Sequence, residues 1–184
     1  MITESIDGTT RVRRIVLDLR DFSRTGSIDL EWADLQAGLE STLNVVWNEI
    51  KYKAEIIRDF TLLPPVQCRP SQINQVFMNL LINAAQAIAE RGHITLRSGR
   101  QEEQVWFSIA DDGIGISPDI QARIFDPFFT TKPVGKGTGL GLSVSYGIIQ
   151  KHGGRIEVNS QPGVGTTFTI WLPIQSPAPI PEPA

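Results

Sequence analysis

Gly135-Lys136-Gly137-Thr138-Gly139-Leu140-Gly141-Leu142-Ser143 is the stretch that most constrains the fold of this chain, and it comes shortly after a second glycine-rich stretch, Asp111-Asp112-Gly113-Ile114-Gly115-Ile116. Glycines at the junctions between elements leave backbone N–H groups open to a ligand. A helix that begins near Gly139 would direct its N-terminal N–H groups towards a phosphate. The spacing matches neither a Walker A loop nor a dinucleotide fingerprint. Together, the two stretches predict a nucleotide pocket.

The composition limits the classes of protein that remain open. The chain has 184 residues, 41% of them hydrophobic, which is enough for one main domain with appendages. A net charge of −3 and the lack of a dense Lys/Arg block argue against nucleic acid as the main partner. The single cysteine, Cys68, cannot form an internal disulfide, and we predict that it is a small buried apolar residue.

The sequence predicts a cytoplasmic chain. No apolar run approaches the roughly 20 residues that cross a bilayer. The first residues, Met1-Ile2-Thr3-Glu4-Ser5, lack the basic and apolar regions of a signal peptide. The sequence leaves open whether a longer parent protein is anchored to a membrane.

The periodicity of apolar residues predicts alternating helices and strands. The predicted helices are one that ends near Gly26, followed by residues 35–50, 70–91, 118–124 and 139–151. The predicted strands are residues 28–32, 54–60, 93–98, 104–110, 155–160 and 166–172. Most of residues 112–137 should be loop, and the proline-rich last ten residues should be extended and disordered.

Polar residues at two places suggest how a nucleotide would be held. Asn79 and Asn83 are four residues apart and share one face of a predicted helix, where an amide oxygen is a suitable ligand for Mg²⁺. Asp111 ends a predicted strand just before two glycines, where its carboxylate can accept a hydrogen bond from an exocyclic amino group such as that of adenine. Taken alone, the asparagines are equally typical of a polar helix edge, and the Asp-Gly sequence of a tight turn.

Four motifs in a fixed order resemble the N, G1, F and G2 boxes of bacterial sensor histidine kinases. They are Asn79-x-x-x-Asn83-Ala84, Asp111-Asp112-Gly113-Ile114-Gly115, Ile124-Phe125-Asp126-Pro127-Phe128-Phe129-Thr130-Thr131-Lys132 and Gly137-Thr138-Gly139-Leu140-Gly141-Leu142. The ending also resembles that family, through His152-Gly153-Gly154, Gly163-x-Gly165-Thr166-Thr167-Phe168 and Leu172-Pro173. The resemblance covers about residues 28–173.

The resemblance implies an ATP-binding catalytic domain of the α+β class. Its expected architecture is a two-layer α/β sandwich, in which helices cover one face of a mixed, mostly antiparallel sheet. A single helix from a dimerisation hairpin would precede it. The expected division is residues 1–25 for the remnant of that hairpin, 26–174 for the ATP-binding domain and 175–184 for the disordered tail.

The resemblance also implies a role for each motif. Asn83 would hold Mg²⁺ with Asn79 close by, and Asp111 would bind adenine N6, with Gly113 and Gly115 letting the base lie against backbone. One of Thr166 or Thr167 would support Asp111. The implied phosphate-binding residues are Gly137, Thr138, Gly139, Leu140, Gly141 and Leu142.

Residues 113–137 would form a lid over the triphosphate. Phe125, Phe128 and Phe129 would anchor this lid to the body of the domain or to a partner helix. Lys132 and Lys136 would add positive charge near the phosphates, although solvated lid lysines are an equally good interpretation.

The sequence departs from the family pattern at two places. Gln86 stands where many relatives carry a phosphate-facing Lys or Arg, three residues after the metal asparagine. The phosphoacceptor histidine of the family has no counterpart, because His93 begins a predicted strand and His152 ends a predicted helix, where the dipole favours a cation. Both histidines are therefore predicted to be structural, and no catalytic residue is assigned in this chain.

We therefore expect a fragment that binds Mg-ATP and phosphorylates a histidine in trans, since autophosphorylation in cis is not available to it. Its expected partners are the acceptor-bearing hairpin and the receiver domain of a response regulator, with a homodimer through the N-terminal helix also open. Hydrolases of the same superfamily carry a glutamate where this chain has Asn79, whose amide cannot take a proton. A serine kinase and a nucleotide-binding regulatory module stay open as alternatives.

Overall fold

The computed structural model describes residues 30–133 and 137–176. The predicted helix before Gly26, the hairpin remnant at residues 1–25, Lys136 and nearly all of the proline-rich tail lie outside the described residues. Within the described ranges, no helix is long and apolar enough to span a membrane.

Four helices and seven strands make up the described part of the chain. In chain order they are β1 (Glu31–Ala33), α1 (Leu35–Ile50), β2 (Ala54–Phe60), β3 (Val66–Cys68), α2 (Pro70–Ala87), β4 (Gly92–Gln101), β5 (Gln104–Asp111), α3 (Pro118–Gln121), α4 (Gly141–Lys151), β6 (Arg155–Gln161) and β7 (Gly165–Pro173). The predicted α+β class is confirmed.

Five strands form the main sheet in the order β2-β4-β5-β7-β6. The edge pair β2 and β4 is parallel, whereas every other neighbouring pair is antiparallel. The parallel pair needs a crossover, which runs through β3 and α2. The predicted mixed, mostly antiparallel sheet is thus confirmed, and β5 lies at its centre.

The long helices α1 and α2 form where the apolar spacing predicts them. Asp34 caps α1, since its carboxylate accepts hydrogen bonds from the backbone of Gln36 at 3.0 Å and of Ala37 at 3.1 Å. Pro70 begins α2, where its missing N–H leaves no helical hydrogen bond unmade. The buried faces of the two helices hold Leu35, Leu39, Leu43, Val46, Ile50, Ile73, Val76, Phe77, Leu80, Leu81 and Ala84.

This helical layer packs on one face of the sheet. Phe77 of α2 meets Phe107 of β5 edge to face, with ring centroids 5.3 Å apart. Such a pair adds about 0.5–1.5 kcal/mol beyond the burial of its apolar area. On the opposite face, Trp106 and Trp171 are paired in register and half-exposed, and Arg155 stacks over Trp171 at 4.2 Å. The core therefore lies between the helices and one side of the sheet.

The structure corrects several predicted elements. The strand β3 was not predicted, because it has only three residues and pairs with the distant β1. The helix α4 begins at Gly141 rather than 139, since Gly139 adopts a positive φ of 68° that an α-helix does not allow. α3 stops at Gln121 and α2 at Ala87, so both helices are shorter than predicted.

Cys68 and His152 are buried near the junction of β3 and α2. The burial of Cys68 confirms the prediction of a small buried apolar residue, and it raises the pKa of the thiol to about 11. The His152 ring accepts a hydrogen bond from the Arg69 backbone N–H at Nε2 and donates one from Nδ1 to the Ile148 carbonyl. Burial lowers the pKa of His152, and an Nε2 that accepts a hydrogen bond carries no proton, so burial outweighs the preference of the helix dipole for a cation and the ring has a structural role, as predicted.

Candidate functional site

Asp111 ends the central strand β5 and is flanked on both sides by neighbouring strands. Its register partners are Ile94 on β4 and Thr166 on β7. The carboxylate accepts a hydrogen bond from the Gly113 backbone N–H at 2.9 Å. This side chain is therefore held in a defined orientation at the end of the sheet where the glycine-rich loop begins.

The environment of Asp111 perturbs its acidity. Burial raises the pKa of the carboxyl above its ordinary value, and the hydrogen bonds from the backbone of Gly113 and Thr166 only partly oppose this effect. A half-buried carboxylate with a raised pKa is typical of a functional site rather than of a surface turn. It can accept a hydrogen bond from a ligand amino group with little competition from water.

Gly113 and Gly115 are required by the protein's own packing. A Cβ on Gly113 would lie 2.5 Å from the Ala87 carbonyl oxygen, and one on Gly115 would lie 2.1 Å from the Gln161 carbonyl oxygen. Both distances are too short for any side chain. The loop after Asp111 therefore lies directly against the end of α2 and the turn between β6 and β7.

Thr166 and Thr167 point to opposite faces of β7, so only one of them can support Asp111 from the helical side. Thr166 is buried, and its hydroxyl lies 2.9 Å from that of Ser160. Ser160 in turn accepts a hydrogen bond from the Ile116 backbone N–H at 2.8 Å. Thr167 is half-exposed and pairs with Ala110 and Asn159. Ser160 thus connects Thr166 to the loop that follows Asp111, and the sequence motifs did not indicate this connection.

Asn79 joins α2 to the beginning of α4. Its amide nitrogen donates to the Gly141 carbonyl at 3.0 Å and to the Ser145 hydroxyl at 3.2 Å. These bonds fix the position of the α4 N-terminus relative to α2. The asparagine is therefore an internal connection between two helices, and it is not part of a merely solvated helix edge.

Asn83 lies one turn further along α2 and holds a cation. Its side-chain oxygen accepts a hydrogen bond from the Lys132 ammonium at 3.1 Å, and the Gln86 side-chain oxygen accepts a second, short one from the same group. An amide oxygen that already binds an ammonium has the chemistry to bind Mg²⁺. Asn83 therefore fits the metal role. Among the described residues there is no cluster of three or more His, Cys, Asp or Glu at metal-binding distance.

Aromatic side chains attach part of the lid to the body of the domain. The Phe125 ring packs on Tyr146 of α4 at 5.3 Å, and both Phe125 and Phe129 are partly buried against the hydrophobic core. Arg123, which also belongs to residues 113–137, stacks over Phe129 at 4.5 Å. Phe128 differs from both, since it is 65% exposed and has a positive φ of 66°. Phe125 and Phe129 are therefore placed as expected of residues that anchor the lid to the body of the domain, whereas the Phe128 ring faces solvent.

The glycine-rich stretch forms the approach to α4. Gly139 packs closely on the Phe128 backbone, and a Cβ at position 139 would lie 2.4 Å from the carbonyl carbon of Phe128. The Leu140 backbone N–H donates to the Thr138 hydroxyl at 3.3 Å, while Gly137, Thr138, Gly141 and Leu142 are half-buried. The first turn of α4 thus presents backbone N–H groups beside Asn79 and close to the lid.

The family model described as "Histidine kinase-, DNA gyrase B-, and HSP90-like ATPase" matches residues 68–176, which include Asn83, Asp111 and Gly141. The chain belongs to this ATPase family. Among curated relatives of these ATPases, the sensor histidine kinase ZraS of Escherichia coli K12 is 39% identical over 167 residues, covering 89% of this chain and 35% of the relative. The sensor kinase CckA of Brucella abortus is 41% identical over 182 residues, covering 89% of this chain and 19% of the relative.

Solved structures of histidine kinases share this ATPase fold. The catalytic domain of the histidine kinase ThkA superposes with a TM-score of 0.73 at 29% identity, covering 80% of this chain and 97% of that one. Full-length ShkA in complex with AMPPNP gives a TM-score of 0.80 at 26% identity, covering 95% of this chain and 38% of that one. The ATPase-family domain described here is therefore the ATP-binding catalytic domain of the sensor histidine kinase type. The chain spans about a third of the length of ZraS.

Proposed function

We propose that this chain is the Mg-ATP-binding kinase domain of a two-component sensor histidine kinase, and that it transfers the γ-phosphoryl group to a histidine supplied in trans. The observation that supports this proposal most directly is the bond between Asn79 and the Gly141 carbonyl. It brings the metal-binding face of α2 next to the N-terminus of α4, where phosphate is favoured. The proposed metal ligand, Asn83, and the proposed phosphate site would therefore be adjacent.

The proposed pocket has a base end and a phosphate end. At the base end, the Asp111 carboxylate would accept a hydrogen bond from the adenine amino group. At the phosphate end, the α4 backbone N–H groups would hold the phosphate chain, and Asn83 would hold Mg²⁺. The metal would neutralise charge that develops on the transferred phosphoryl group. The protein's own contribution is to position the γ-phosphate for an incoming nucleophile.

The acceptor in this proposal comes from another chain, because both histidines are engaged elsewhere. His93 pairs with the Asp112 carboxylate at 2.8 Å, on the exposed side of β4. His152 is buried between the Arg69 backbone and the Ile148 carbonyl. An acceptor-bearing helical hairpin and, after it, a receiver domain are the proposed partners. We propose that the reaction takes place in the cytoplasm.

Asn79 favours a kinase over a hydrolase. A hydrolase of this superfamily uses a carboxylate at this position to remove a proton from water. The Asn79 amide carries no basic group and already donates to Gly141 and Ser145. We therefore expect little phosphate release from the chain alone.

The test is an incubation with γ-labelled ATP, with and without a separately made acceptor hairpin. The proposal predicts acid-labile label on the hairpin only when the chain is present. Acid-stable label on a serine would replace the histidine-kinase proposal with a serine-kinase one. Rapid release of phosphate without the hairpin would replace it with hydrolysis.

The metal assignment predicts that Asn83→Ala lowers the affinity for Mg-ATP about tenfold, because a ligand to the charged metal–phosphate group is lost. The affinity for ATP in the presence of a chelator should change much less. Isothermal titration calorimetry measures both. The matched control is Asn44→Ala, an exposed asparagine on α1, which should behave like the unmodified chain. Equal affinities for Asn83→Ala and the control would remove Asn83 from the metal site.

A further inference from the structure

Ser160 belongs to a row of three polar side chains that crosses the main sheet. Thr166 on β7 is the register partner of both Asp111 on β5 and Ser160 on β6. Register partners project from the same face of a sheet, with Cβ atoms about 4.5–5.5 Å apart. Ser160 is therefore two strands away from the carboxylate proposed to bind adenine, and Thr166 lies between them.

The hydrogen of the Ser160 hydroxyl has a defined partner. The hydroxyl donates to the Gly165 carbonyl at 2.9 Å, and a carbonyl oxygen can only accept. The same hydroxyl oxygen accepts a hydrogen bond from the Ile116 backbone N–H at 2.8 Å, and an N–H can only donate. The single hydrogen of Ser160 is thus engaged by Gly165, and one lone pair remains for a second donor.

These two bonds fix the direction of the contact between Ser160 and Thr166. The two hydroxyl oxygens are 2.9 Å apart, and the distance alone does not say which of them donates. Because the Ser160 hydrogen is engaged by Gly165, Thr166 is the donor. The Thr166 oxygen can still accept a hydrogen bond from a ligand or from water, but it has no hydrogen left to donate.

We propose that Ser160 determines which purine the pocket accepts, because it makes the Thr166 hydroxyl an acceptor towards the base. This inference rests on the proposed function, since it concerns the nucleotide bound at Asp111. The Asp111 carboxylate is an acceptor too, so both side chains favour a base with an amino group at this edge. A base with a carbonyl oxygen there, such as hypoxanthine or guanine, would face two acceptors and no donor. Ser160 is then a positioning residue that acts through Thr166.

A merely structural role for Ser160 makes a different prediction. Ser160 bonds to the loop at Ile116 and to β7 at Gly165, so its loss could weaken the binding of every nucleotide by the same factor. The direction of the Thr166 hydroxyl predicts in addition a change in the preference between two bases. The ratio of two affinities separates these roles. This ratio does not depend on the fraction of a variant that is competent to bind, because that fraction scales both affinities equally.

The test compares the affinities for Mg-ATP and for Mg-ITP, the inosine nucleotide with a carbonyl oxygen in place of the amino group, by calorimetry. The unmodified chain should bind Mg-ATP about a hundredfold more tightly, because buried acceptors reject the carbonyl. Ser160→Ala leaves the Thr166 hydroxyl free to rotate and donate, so this preference should shrink about tenfold. Thr166→Val should shrink it similarly, and adding Ser160→Ala to Thr166→Val should shrink it no further. Ser108→Ala, a buried serine on the opposite face of β5, is the matched control.

Three results would overturn the inference. These are an unmodified chain that binds the two nucleotides equally, a Ser160→Ala variant that keeps the preference of the Ser108→Ala control, and a double variant whose preference falls well below that of Thr166→Val alone. Failure of the proposed function is distinguishable, because in that case the unmodified chain would bind neither nucleotide.

Discussion

Asp111 is placed where its charge disfavours folding. Burial raises the pKa of its carboxyl, which means that the folded chain holds the proton more tightly than the unfolded chain does. At neutral pH the ionised form therefore lowers stability, and this cost disappears as the pH falls. The proposed contact with the adenine amino group would give this buried and oriented carboxylate a function that offsets its cost to folding.

Replacing Asp111 should therefore separate binding from stability. Asp111→Asn keeps an acceptor for the Gly113 N–H but removes the buried charge, so we expect a melting temperature equal to or above that of the unmodified chain. ATP affinity should fall about ten- to a hundredfold, because a hydrogen bond to a charged group is lost. Differential scanning calorimetry and binding titration measure the two effects. Asp119→Asn, on α3, is the exposed control. A variant that is destabilised but binds ATP normally would contradict the assignment.

At the scale of elements, the junction between lid and α4 depends on Gly139. Its φ of 68° costs any residue with a side chain about 1–2 kcal/mol, and a Cβ would also overlap the Phe128 backbone. Gly139→Ala should therefore lower the free energy of unfolding by about 2 kcal/mol or more, and weaken ATP binding as well. Urea denaturation measures the first effect.

The same helix provides the control. Gly147 lies inside α4, and a Cβ there would meet nothing within 4 Å. Gly147→Ala should raise the free energy of unfolding by about 0.5–1 kcal/mol, since alanine favours a helix. A Gly139→Ala variant that is as stable as Gly147→Ala would contradict the left-handed backbone conformation of Gly139.

The elements also show which features a sequence can predict. The apolar spacing along α1 and α2 identifies both helices, because each buries one face over many turns. The strand β3 escapes prediction, since its pairing with β1 depends on residues more than 30 positions away. The bonds from Asn79 to Gly141 and from Lys132 to Gln86 likewise join distant segments. The motifs locate the candidate site residues, whereas these contacts appear only once the chain is folded.

At the scale of the whole molecule, His152 links stability to pH. Burial lowers the pKa of its ring below the ordinary value of 6.5, so the unfolded chain binds the proton more readily. The contribution of the neutral His152 ring to the free energy of unfolding is complete above about pH 6.5, and it is lost as the pH falls below that value. We expect the free energy of unfolding to be lower at pH 5.5 than at pH 7.5.

A variant that does not titrate checks the origin of this effect. His152→Gln should be less stable at pH 7.5, because the Arg69 and Ile148 backbone groups lose a well-fitted partner, but its stability should change much less between the two pH values. Urea denaturation at both values measures the difference. An unchanged pH dependence in His152→Gln would assign the effect to another group.

The bond between Asn79 and the Gly141 carbonyl also bears on how members of this family diverge. The Asn79 amide nitrogen now lies 3.0 Å from the Gly141 carbonyl oxygen and donates to it. A glutamate at this position would instead place a carboxylate beside that carbonyl oxygen, and the two acceptors would repel each other. The packing between α2 and α4 would then lose the hydrogen bonds that Asn79 now donates. A single Asn79→Glu substitution is therefore expected to cost stability at the contact between α2 and α4 at the same time as it introduces a basic group.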